Sequence, residues 1–160
     1  QTGLQVGEPI ELDSVQVNAQ ARVFTPPAPQ HPTTVRFGAA IRLYGFDLAQ
    51  DGETVKLTLY WGTDRRLDRS YKVFVHAVDS ATGEMIAQYD AAPRSWAYPT
   101  TWWEAGEVVA DPIDMAVPGA SGRKIQLQLG LYDEQPGERL RLNSQSAAAT
   151  GGDSLLIPLP

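Results

Sequence analysis

Three of the four tryptophans fall within eight residues, in Trp96-Ala97-Tyr98-Pro99-Thr100-Thr101-Trp102-Trp103. Pro99 and the lack of alternation make this stretch a loop rather than a strand. Aromatic rings on a loop have a definite chemical use. The C–H face of a sugar stacks on indole, and the indole N–H bonds a hydroxyl, helped by neighbouring polar groups. The candidate ligand-binding residues are therefore Trp96, Tyr98, Trp102 and Trp103, with Arg94, Glu104 and Glu107 as the polar neighbours. The opposite expectation is that the loop folds back and its rings seal one end of a core, since Trp is a largely buried residue type.

Other chemistries find less material. His76 is one of two histidines, and no nucleophile motif of the G-x-S-x-G kind accompanies it. His76 is the only plausible base and would lack a nucleophile to activate, so no catalytic residue is assigned. Glycoside hydrolysis needs two carboxyl groups, one of them with a raised pKa. Glu104, Glu107, Asp111 and Asp114 supply carboxylates near the aromatic loop, which keeps a hydrolase as a remote alternative. Asp79, Asp111, Asp114 and Asp133 could lend oxygens to Ca²⁺, but no EF-hand pattern is present, and Asp at strand ends ordinarily serves turns. No metal site is expected. Neither phosphate-binding glycine pattern occurs, so no nucleotide cofactor is expected, nor any other cofactor.

The elements that must position these residues read as short strands. Val55, Leu57, Leu59 and Trp61 alternate with polar residues, and Ile125, Leu127, Leu129 and Leu131 do so more cleanly. Alternation buries one face and wets the other, as in antiparallel sheets. Further strands are expected over 10–17, 40–47, 71–79, 85–90, 107–110, 111–117, 139–142 and 155–159. The 71–79 run is apolar on both faces, which predicts a central strand. Residues 79–83 end in Gly83 and predict a hairpin to the 85–90 strand. Pro112 lacks a ladder N–H and predicts a bulge, an edge or a strand start. Pro136-Gly137 predicts a tight turn with Gly at positive φ. The Pro-rich segment 25–32 and segment 143–153 read as loops, and no window carries helical periodicity.

The expected fold is one all-β domain over residues 1–160: an antiparallel two-sheet β-sandwich, jelly-roll or Ig-like, with about eight to ten strands. At 160 residues such a domain buries enough surface to fold without staples, and there is no Cys to make a disulfide. The 14 Gly and 12 Pro supply many turns. The net charge of −6, with no basic run, makes nucleic acid an unexpected partner. No run approaches the roughly 18 apolar residues of a membrane span. The chain starts at Gln1 with no leader pattern, so the expectation is a processed or excised part of a larger protein.

Four features in one order carry a family resemblance: Leu57-Thr58-Leu59-Tyr60-Trp61; Tyr71-Lys72-Val73-Phe74-Val75-His76; the run from Pro99 through Trp103-Glu104-Ala105-Gly106-Glu107 to Asp111; and Leu129-Gly130-Leu131-Tyr132-Asp133 with Gly137-Glu138-Arg139-Leu140. Over about 41–142 the chain resembles the soluble β-sandwich at the C-terminal end of large multi-span bacterial membrane proteins similar to dolichyl-phosphate-mannose-type (GT-C) glycosyltransferases. The resemblance implies a non-catalytic accessory domain outside the membrane, tethered through the rest of its parent protein, with carbohydrate as a possible partner. It aligns Trp103 with a Trp that precedes x-x-Gly-Glu and suits a structural corner. Trp96, Tyr98 and Trp102 lie outside the shared pattern. A purely structural or protein–protein interaction domain is the other expectation.

Overall fold

The computed structural model describes residues 21–143 and 152–160, so the strand expected over 10–17 and most of the loop expected over 143–153 lie outside the described residues. The described residues form an all-β sandwich of two antiparallel sheets. The first sheet contains β1 (His31–Phe37), β2 (Ile41–Asp51), β3 (Thr54–Thr63), β6 (Val108–Ala116) and β8 (Leu142–Asn143), in the order β6-β3-β2-β1-β8. The second contains β4 (Tyr71–Asp79), β5 (Met85–Ala91), β7 (Ile125–Asp133) and β9 (Leu155–Pro158), in the order β5-β4-β7-β9.

Alternation sets the layers. Leu57, Leu59 and Trp61 of β3 point inward against Val73, Val75 and Ala77 of β4 and Leu127, Leu129 and Leu131 of β7, all within one apolar cluster. The chain changes sheet between β3 and β4, between β5 and β6, and at each connection from β6 to β9. β3 pairs with β6 and β4 with β7, so the crossings interleave the two sheets along the chain. β4 is central and forms the expected hairpin with β5. Gly137 takes φ 89°, as a Pro-Gly turn requires.

Three expectations need correction. β1 was not expected: it begins inside the Pro-rich segment, where only Val35 and Phe37 of the strand turn inward. The segments on either side of Pro112 are one strand, β6, because β6 lies at the edge of its sheet. There Pro112 sits opposite Thr58 without breaking the ladder. The strand expected over 139–142 shrinks to a bridge from Arg139 to Tyr132 and the two-residue β8.

Candidate functional site

The 92–107 connection runs from β5 in one sheet to β6 in the other and carries the aromatic loop. It starts with a backbone of unusual shape. Arg94, Ser95 and Trp96 have φ of 55°, 51° and 75°, three successive left-handed residues, none of them glycine. Each such residue costs on the order of 1–2 kcal/mol. The turn is held by its own hydrogen bonds, Trp96 N–H to the Ala92 carbonyl (2.9 Å) and Tyr98 N–H to the Pro93 carbonyl (3.1 Å). It is also pinned to β6: the Arg94 backbone N–H donates to Asp111 Oδ1 (2.7 Å) and the Arg94 Nε to the Ala110 carbonyl (2.9 Å).

Asp111 is the less expected half of that pin. It occupies an inward position on β6 opposite Leu59 and is 0% exposed. Its second oxygen accepts from the Trp61 indole N–H at 3.4 Å. Burial pushes its carboxyl up from 3.8 to about 6, against the pull of the Arg94 and Trp61 donors. The folded state thus holds this proton more tightly than the unfolded chain does. The stability that follows is fully present below about pH 4 and is lost as pH rises through about 6, roughly 3 kcal/mol in all. Wild type minus Asp111→Asn, compared by urea denaturation between pH 4 and 7, should show this slope. The amide's own mismatch with two donors shifts the difference by a constant. A flat difference would mean that Asp111 does not titrate in that window.

Beyond the turn, a 3-10 turn at Thr100–Trp102 reverses the chain and separates two adjacent indoles. Trp103 returns to extended backbone and is 0% exposed, its Nε1 donating to the Tyr98 carbonyl at 3.3 Å. Trp102 is 56% exposed and Trp96 is 57% exposed. Lys72 Nζ lies 4.5 Å from the centre of the Trp96 ring. Tyr98 is half-buried between Trp102, edge-on at 6.2 Å, and the Arg94 guanidinium at 4.9 Å.

The carboxylates divide in the same way. Glu107 is 3% exposed and accepts from the Tyr98 hydroxyl (2.8 Å), the Glu104 backbone N–H (2.9 Å) and Arg22 (3.2 Å). Burial, and then the Glu107 carboxylate, raise the pKa of the Tyr98 phenol. Glu104 lies at the surface, paired with Arg66 (2.8 Å) and Arg22 (3.4 Å). Trp103 and Glu107 are thus corrected from ligand contacts to internal braces: one fills the corner and the other collects the donors around it. The face open to solvent is carried by Trp96 and Trp102, with Tyr98, Arg94 and Glu104 half-buried beside them.

The four aspartates weighed for Ca²⁺ do not converge. Asp79 and Asp133 sit at opposite ends of the β4–β7 ladder, while Asp111 and Asp114 point to opposite faces of β6. Among the described residues no group of three or more His, Cys, Asp or Glu is placed to hold a metal. No helix among them is long and apolar enough to cross a membrane. Comparison with family models, with curated proteins and with solved structures gave no match.

Proposed function

We propose that this chain is a non-catalytic accessory domain that contacts a glycan or lipid-linked sugar through the exposed rings of Trp96 and Trp102. One observation carries the reading: three strained left-handed residues end at an indole left facing solvent. Strain of that kind persists where the surroundings over-determine it, and it concentrates at ligand sites. A loop needed only as a plug would have no reason to hold Trp96 outward, since burying an indole is the more favourable outcome. The two buried carboxylates nearby, Asp111 and Glu107, are both occupied by donors from the loop and, for Asp111, from Trp61 of β3, which favours bracing over proton transfer. The tether to a multi-span bacterial glycosyltransferase-like parent, on the extracytoplasmic side, belongs to the same proposal and rests on the sequence resemblance.

A printed glycan array tests this reading. Wild type should bind a subset of glycans. Trp96→Ala and Trp102→Ala should each weaken that binding about tenfold. Both variants should keep their stability within about 0.5 kcal/mol, as surface substitutions do. A blank array, or variants binding like wild type, would refute it. The competing reading, a protein-interaction surface, draws on one further observation. Val23 and Phe24 are also exposed, and the neighbouring Arg22 donates to the Trp102 carbonyl at 3.0 Å.

A further inference from the structure

The outward face of the second sheet carries a set of polar side chains that the core does not use. On β4, Val73, Val75 and Ala77 point into the core, so Lys72, Phe74 and His76 point out. His76 lies directly across from Gln88 of β5 on one side and Gln128 of β7 on the other. The three form a straight row over three strands. None of these side chains makes a hydrogen bond to a described residue, although each offers both a donor and an acceptor. Burial, then the nearby Arg139, lowers the pKa of His76, which favours the neutral ring.

Beside the row is a shallow depression lined by Phe74, His76, Asp90, Tyr132, Gly137 and Arg139. Its floor follows from Gly130, opposite Phe74 on β7. A methyl group at 130 would overlap the Phe74 ring, so the glycine lets that ring lie flat across the neighbouring strand. Arg139 covers the ring at 4.3 Å. The Tyr132 hydroxyl donates to Asp90 at 2.6 Å, and that bond fixes the far wall. The surface continues to the aromatic loop, because Lys72 is the cross-strand partner of Tyr132 and its ammonium lies over Trp96. From Lys72 to His76 the strand advances roughly 13 Å.

We infer that this face is an elongated binding platform for an uncharged polysaccharide chain, with Trp96 stacking one end and the Gln88–His76–Gln128 row reading hydroxyls at the other. The inference rests on the glycan reading above and adds a second surface to it. Hydroxyl groups both donate and accept, as amides and a neutral imidazole do. Charge does not favour an ionic ligand: Lys72 is paired with Glu134 (2.7 Å) and Arg139 with Asp153 (3.5 Å). A protein partner would call for exposed apolar or aromatic centres, and the central row has none.

The test is an NMR titration of the isotope-labelled 160-residue chain with cellohexaose, xylohexaose, mannohexaose and chitohexaose. One of them should shift the Gln88 and Gln128 side-chain amides, the His76 ring signals and the Trp96 indole together. The double variant Gln88→Ala/Gln128→Ala should weaken that sugar about tenfold while the amide spectrum stays folded. Shifts confined to the Trp96 and Trp102 indoles, with the double variant binding normally, would overturn the platform and leave the loop reading standing. No shift with any hexasaccharide would overturn both.

Discussion

Trp103→Ala should lower the unfolding free energy by about 3–5 kcal/mol, the range for large aromatic truncations in a packed core. Trp103 is among the largest fully buried side chains, and it belongs to the same cluster as Trp61, Val109 and Leu131. Its loss would open a cavity at the corner where the chain passes from the aromatic loop into β6, and would orphan the Tyr98 carbonyl that its indole N–H satisfies. Urea denaturation gives the number directly. The adjacent Trp102→Ala is the internal control, since its ring is mostly in solvent and its loss should cost little. If the two variants were equally stable, the burial assigned to Trp103 would be wrong.

Glu107→Ala should also be damaging, about 2–4 kcal/mol, because it leaves hydrogen-bond donors around a buried position without their acceptor. The Tyr98 hydroxyl and the Glu104 backbone N–H would lose this acceptor, while Arg22 would keep the Trp102 carbonyl and Glu104. Glu107→Gln keeps the shape and one acceptor oxygen, so it should recover part of the loss. The second readout is local. The Tyr98 phenol should titrate lower in Glu107→Ala than in wild type, once the carboxylate that helps raise its pKa is gone. A spectroscopic titration of tyrosine on the folded fraction measures this. An unchanged titration alongside unchanged stability would remove Glu107 from its bracing role.

How much of this was legible beforehand depends on how local each signal is. β3 and β7 could be read directly because one-face burial writes itself as strict alternation along a single segment. β1 could not. Pro32, Thr33 and Thr34 hide the strand, and only Val35 and Phe37 show its inward face. β6 was split because the cost of Pro112 depends on whether another strand lies beside it, which no local window reports. The aromatic loop was legible as a loop and as the place to look, yet the opposite fates of Trp102 and Trp103 turn on one 3-10 turn. The pin from Arg94 to Asp111 was out of reach, since it joins residues 17 apart through a left-handed backbone that glycine-free sequence does not announce. The outer-face platform depends on register across β5, β4 and β7. Its available signals were the alternation that puts His76 and Gln128 outward and the lone glycine at 130.

The position of Pro112 also bears on how this domain keeps apart from copies of itself. A sandwich offers edge strands to any other extended chain, and β6 would otherwise be the inviting one, nine residues long. Proline supplies no donor in mid-edge, Asp111 beside it turns a carboxylate inward, and Val23 already occupies the Val108 N–H at one end (2.7 Å). Among the described residues the opposite edge of that sheet is two residues long, and the outermost strand beside β7 ends in Pro158. These are the devices by which β proteins refuse strand addition. Among the described residues they guard three of the four sheet edges, and leave β5 as the edge where an extended chain could still add.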